Sequence, residues 1–206
     1  MYIWFIISLI GFVSVIPFLF ISVEHIKLER KFGPKKGEKI GSMIGMISGW
    51  AYFVFWIGIW VSPQPRFTID FSNLILFEIP ILNIPIYLLH FVVFIPFIIS
   101  AIWFGIMGAR EVTLKVAETH KVEKIVTTGV YSYIRHPQYF GGILAHIGIT
   151  LLLSSYLSLL ITPLILFINV LLSWKEEKEL IKEFGDDYRE YKQNVPMFIP
   201  RGKKKN

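Results

Sequence analysis

The chain holds 206 residues, 54% hydrophobic and 17% charged, with a mean hydropathy of +0.57 and a formal net charge of +6. Segments 2–23, 41–65, 79–109 and 137–174 contain no Asp, Glu, Lys or Arg, which excludes a water-soluble globule and marks an integral membrane protein. Cysteine is absent, so disulfides, thiolate chemistry and cysteine-ligated metals are excluded, and no metal site is expected.

The first predicted element is a membrane span over Tyr2–Val23. About 20 apolar residues cross a hydrocarbon core roughly 30 Å thick. This segment is too long for a signal peptide and lacks both a basic start and a small-residue cleavage site. Further spans are expected over Gly41–Val61 and within Ile81–Met107. The connection between them, Phe67–Pro80, is aromatic and weakly amphipathic and is expected at the outer interface. Pro137–Trp174, with 38 residues, would measure about 57 Å as one helix at 1.5 Å per residue, nearly twice the core, and Ser154-Ser155-Tyr156 interrupts it. It reads as a tight helical hairpin. The expectation is an all-α integral membrane fold of five transmembrane helices, with a three-span region 1–107 and a C-terminal region 108–206. The latter ends in a cytoplasmic amphipathic helix that buries Leu180, Phe184, Tyr188 and Tyr191.

Basic residues set the orientation. The connections 24–40, 108–136 and 175–206 hold 6, 5 and 9 Lys and Arg, against Arg66 alone in 62–80. Under the positive-inside rule the N-terminus lies outside and the C-terminus in the cytoplasm. The positive charge is therefore topological, nucleic acid is not a partner, and Lys203-Lys204-Lys205 is expected to touch anionic lipid headgroups.

On the cytoplasmic side a hairpin would bring residues 110–136 against 175–191. Pro137 suits the first position of a helix, because its missing N–H would have been unpaired there. Arg135 and His136 then sit at a helix entrance, where free N–H groups and a guanidinium attract an anion. Glu176 and Glu177 face them as acceptors for hydroxyls or cations. Such a pocket suits a small zwitterion with ribose-like hydroxyls, such as S-adenosylmethionine. Arg-His before a span and Lys/Glu after one also serve as plain interfacial anchors. Within the spans, His90 is expected to pack, His146 to pack or to act, and Gly141, Gly142 and Gly148 to let helices approach closely.

The sequence Ile125-Val-Thr-Thr-Gly-Val-Tyr-Ser-Tyr-Ile-Arg-His-Pro-Gln-Tyr-Phe-Gly141, followed by Glu176-Glu177, Phe184-Gly-Asp-Asp-Tyr-Arg-Glu-Tyr191 and Val195-Pro196, resembles the isoprenylcysteine carboxyl methyltransferase family. That family sits within the integral membrane methyltransferases that include phospholipid N-methyltransferases. The resemblance covers roughly the last 90 residues. It implies S-adenosyl-L-methionine as cofactor and S-adenosylhomocysteine as product, held on the cytoplasmic face. One wall would be Gly129, Tyr131, Arg135, His136, Pro137 and Tyr139, and the other Glu176 and Glu177, with Arg135, His136 and Glu177 as catalytic residues. The acceptor would be a lipidic or prenylated small molecule carrying a carboxylate or amine, reached from within the membrane lipids. Sterol reductases share a His-Pro-containing C-terminal layout with NADPH as cofactor, but their endings differ from the Glu-Glu and Phe-Gly-Asp-Asp-Tyr of this chain. A non-enzymatic membrane assembly protein is the remaining alternative.

Overall fold

A long apolar run in lipid has no water to bond its backbone, so it closes its own hydrogen bonds as a helix. In the computed structural model, which describes residues 2–69, 74–112 and 124–200, three helices are long and apolar enough to cross a membrane. They are α1 (Ile3–Val23), α3 (Pro34–Val61) and α4 (Leu88–Glu111). The charged stretch after α1 forms α2 (His25–Phe32), and Gly33, at φ 83°, turns the chain into α3. After a 3-10 turn at Gly129–Ser132 come α5 (Pro137–Leu152), α6 (Tyr156–Leu160), α7 (Thr162–Phe184) and α8 (Asp186–Asn194). Pro137 is the first residue of α5.

The all-α expectation requires one correction. Residues before α4 form a two-stranded antiparallel sheet, β1 (Ile75–Ile79) and β2 (Ile84–Tyr87), with Ile79 opposite Ile84. Ile84 and Ile86 are buried in alternation, the two-residue period of a strand, and the helix starts only at Leu88. A second correction concerns residues 180–191, which do not form one helix. Gly185, at φ 59°, ends α7, and Asp186-Asp187 opens α8, where two acids favour the helix start. Tyr188 and Tyr191 are buried, while Leu180 and Phe184 are only partly so. The Lys203-Lys204-Lys205 run lies outside the described residues.

The core sits where α1, α3 and α7 meet, and includes Phe12, Trp56, Ile59, Ile165 and Leu172. Helices α4 and α5 approach closely because their contact carries no side chain at key points. A Cβ on Gly141 would lie 2.9 Å from the backbone oxygen of Ala101, and one on Gly148 would lie 2.9 Å from Phe97 Cβ. Gly141→Val is therefore expected to push α4 from α5 at a cost of about 1–3 kcal/mol. A detergent melting curve indistinguishable from wild type would contradict this contact.

Two buried histidines, His90 and His146, join elements. Trp56 Nε1 and Trp60 Nε1 each donate to His146 Nδ1 at 3.0 Å, and His146 Nε2 lies 3.2 Å from Thr162 Oγ1, pinning α3, α5 and α7 together. The backbone N–H of Ile69 donates to His90 Nε2 at 2.9 Å, leaving Nδ1 to donate to the Leu151 carbonyl at 2.8 Å. Beyond α3, Arg66 Nη1 donates to Leu153 O and Ser155 Oγ, both at 2.7 Å, which fixes the turn between α5 and α6.

Candidate active site

The start of α5 is shaped from both sides. Before it, Gly129 takes φ 54° in the 3-10 turn, a left-handed conformation that glycine adopts without strain. Below it, the chain leaving α8 doubles back, so that Arg135 N donates to Pro196 O at 2.9 Å and His136 N to Met197 O at 3.2 Å. Tyr191 in α8 donates its hydroxyl to Tyr131 O at 2.7 Å, closing the same corner. Helix α7 enters opposite, carrying Glu176 and Glu177.

The two expected walls meet directly. Arg135 donates through Nε to Glu177 Oε1 at 2.7 Å, and its Nη2 lies 2.7 Å from the same oxygen. Its Nη1 donates to Lys192 O at 3.0 Å and to Val195 O. The second carboxylate oxygen of Glu177 lies 2.7 Å from Lys192 Nζ. His136 completes the knot, with Nε2 3.2 Å from Glu177 Oε1 and Nδ1 3.7 Å from Glu176 Oε2. Glu177 is fully buried and Arg135 is 8% exposed. Buried charges persist only when paired and hydrogen-bonded, and here those of Arg135 and Glu177 are. The guanidinium that the sequence leaves available for an anion thus has Glu177 as its partner, together with two carbonyls.

Charge in the corner is set by these contacts. Burial by itself would raise the Glu177 carboxyl, but hydrogen bonds from His136 and Lys192 and the charges of His136 and Arg135 hold it down at about 2. Because that value lies below the ordinary 4.5, the stabilisation is complete above pH 4.5 and is lost as pH falls toward 2. Melting temperature measured in detergent is expected to fall steeply below pH 4.5, and Glu177→Gln is expected to flatten that fall. Burial, and then the charge of Glu176, raises the Tyr131 phenol. Burial also raises Tyr188 and Tyr191, so all three stay neutral at pH 7.

Beside the knot lies a cavity of about 440 Å³. Its polar end is lined by Tyr131, Arg135, His136, Tyr139 and Glu176, with Tyr188 and Tyr191 from α8. Its apolar end runs along α1 and α3 past Leu19, Val23, Met46, Trp50, Phe53 and Trp56. Trp50 and Phe53 are 67% and 56% exposed, so this end opens on the lipid-facing surface of α3. Glu176 Oε2 is buried with no hydrogen-bond partner among the described residues.

Of the residues singled out in the sequence, Arg135, His136, Tyr131, Tyr139 and Glu176 come together on the cavity. Glu177 stands behind Arg135 and His136, outside its lining. Gly129 faces Glu111, and Pro137 packs on Gly108, so neither lines it. The residues missed are Lys192, the carbonyls of 195–197, Asn169, and the apolar wall from α1 and α3. Only Lys192 carried a signal, as a cation one residue beyond the tyrosine face.

The comparisons accord with this corner. Residues 86–187 match the family model described as phospholipid methyltransferase. The match covers just under half of the chain, which over that region is similar to this family. Among similar proteins, the protein-S-isoprenylcysteine O-methyltransferase of Schizosaccharomyces pombe is 35% identical over 92 residues, covering 41% of this chain and 36% of that protein. The enzyme of the same name from Saccharomyces cerevisiae is 46% identical over 84 residues, 37% of this chain and 32% of that protein. Methanethiol S-methyltransferase 1 of Bradyrhizobium diazoefficiens is 34% identical over 99 residues, 47% of this chain and 34% of that protein. The chain thus spans about a third of the length of these relatives, and no solved structure matches. The resemblance read from the sequence is borne out, and the knot and the polar end of the cavity fall largely within the family region.

Proposed function

We propose that the chain is an S-adenosylmethionine-dependent membrane methyltransferase that methylates a carboxylate or amine on a lipidic acceptor. The observation that carries this reading is the shape of the cavity. One end is walled by neutral tyrosines, His136 and the Glu176 carboxylate, whose Oε2 has no hydrogen-bond partner among the described residues, and the other is apolar and open to lipid.

The residues at the polar end fit the cofactor. Glu176 Oε2 offers the acceptor that a ribose hydroxyl or an ammonium group requires. Tyr131, Tyr139, Tyr188 and Tyr191 offer aromatic faces for a purine and for a cationic centre. When bound, the cofactor supplies an activated methyl group on a sulfonium. The work left to this chain is alignment of the reactants and exclusion of water. The Arg135–Glu177–Lys192 knot is a positioning device that holds His136 and Glu176 at the cavity wall. A carboxylate acceptor is already ionised near pH 7 and needs no base, whereas an amine needs one, and His136 is placed to take its proton.

The five-span topology belongs to the same proposal: α5 and the apolar part of α7 cross as the fourth and fifth spans, with the N-terminus outside. The three-span region 1–107 supplies the lipid-side wall and 108–206 the polar end. Because the chain has no cysteine, single introduced cysteines report topology cleanly. In intact cells an impermeant maleimide is expected to label Ile81→Cys and to miss Lys36→Cys, and the reverse pattern overturns the orientation. The activity itself is tested by transfer of a labelled methyl group from S-adenosylmethionine to a panel of prenylcysteines, phospholipids and quinone-like acids. Transfer to at least one amphiphile is expected, and none to any, by folded protein, contradicts the reading.

A further inference from the structure

A second polar feature lies in the same cavity, away from the charged corner. Tyr52 on α3 and Asn169 on α7 both line it, 7% and 2% exposed. The Tyr52 ring is clamped, with its centroid 4.4 Å from that of Phe12 and 5.2 Å from that of Trp56. Its hydroxyl is buried and has no hydrogen-bond partner among the described residues, although the Asn169 amide lies beside it. Asn169 Nδ2 donates to Ile165 O at 2.8 Å, which fixes the amide plane. A buried hydroxyl without a partner carries a desolvation cost, and a ligand atom bonded to it removes that cost. Asn169 precedes Glu176 by two helical turns, so the pair sits about 10 Å deeper along α7.

The surroundings select the chemistry of that ligand atom. The cavity around the pair is apolar, built from Leu19, Trp56, Gly142 and Leu172. The guanidinium that lines the cavity is tied to Glu177 and two carbonyls. A carboxylate drawn to this depth would be desolvated with no cation free to pair with it among the described lining residues, whereas a neutral hydroxyl, thiol or unprotonated amine would exchange one hydrogen bond for another.

We propose that Tyr52 and Asn169 form the head-group subsite for the methyl acceptor, which narrows the carboxylate-or-amine reading above to an amphiphile whose head hydrogen-bonds without bearing charge and sets the carboxylate aside. This inference rests on the methyltransferase reading for the word acceptor, but the subsite stands on its own geometry. Trp50 and Trp56 line the cavity and give a fluorescence signal that needs no turnover.

The probes are 4-dodecylphenol, dodecylbenzene and dodecanoate, titrated into the detergent-solubilised protein. The phenol is expected to bind wild type about five- to tenfold more tightly than dodecylbenzene, the yield of one buried hydrogen bond, and dodecanoate most weakly. Tyr52→Phe, which removes only the hydroxyl, is expected to abolish the phenol's advantage while leaving dodecylbenzene affinity unchanged. Equal binding of phenol and dodecylbenzene by wild type overturns the proposal whether or not the variant folds, as does tightest binding of dodecanoate or an undiminished advantage in folded Tyr52→Phe. S-adenosylhomocysteine binding by the same preparation reports on the methyltransferase reading separately. Its absence beside intact phenol selectivity defeats that reading alone, and its presence without selectivity defeats this one alone.

Discussion

Glu177→Ala is expected to lower the stability of the protein by about 3–5 kcal/mol, a fall of roughly 10 °C in melting temperature, and to abolish binding of S-adenosylhomocysteine. The reason is electrostatic. Arg135 is buried with three of its nitrogens committed, two of them to Glu177. Removal of the carboxylate leaves a desolvated cation beside a half-exposed Lys192 and an imidazole that has lost its nearest acceptor. A companion variant separates stability from function. Replacing both partners with apolar residues, Arg135→Met with Glu177→Leu, removes the orphaned charge and is expected to recover most of the melting temperature, since buried pairs exchanged for packed hydrophobics are often neutral. Cofactor affinity is not expected to return, because His136 and Glu176 lose the group that orients them. Recovery of binding together with stability would make the knot a structural staple unconnected with the cavity.

Glu176→Ala is expected to behave in the opposite way. Its side chain borders the cavity, its Oε2 lacks a hydrogen-bond partner among the described residues and has only His136 Nδ1 at 3.7 Å as an ionic neighbour, and the short ion pairs of the knot run through Glu177. Loss of a hydrogen bond to a charged group corresponds to about 1.5–3 kcal/mol, a ten- to 150-fold weaker affinity for S-adenosylhomocysteine, with a melting temperature close to wild type. An unchanged affinity, measured by calorimetry in detergent, would remove Glu176 from the site.

The parts of this structure that were legible in the sequence are those with a local cause. Pro137 announces the start of α5 because its ring and missing N–H suit that position, and the charge-free runs announce helices because lipid allows little else. Arg135, His136 and the two glutamates were legible through their order and spacing. The strands at Ile75–Ile79 and Ile84–Tyr87 were not, because a short apolar run next to a span has no feature that distinguishes strand from helix until Ile84 and Ile86 are seen buried in alternation. Gly185 followed by two aspartates was a readable helix stop and start, but the tyrosine spacing concealed it. The fate of the Arg135 guanidinium could not be read at all. Two of its acceptors are the carbonyls of Lys192 and Val195, and every residue carries a carbonyl, so the tertiary path of the chain alone decides which ones it meets. The same holds for the apolar half of the cavity, whose walls on α1 and α3 lie outside the family region.

The most direct test of the account is an experimental structure of the protein with S-adenosylhomocysteine bound. It should hold the nucleoside in the cavity, with a hydroxyl or ammonium group on Glu176, aromatic contact with the tyrosines, and the Arg135–Glu177 pair intact behind His136. A nucleoside on any other surface, or one that has pulled Arg135 away from Glu177 to grip an anion, would contradict it.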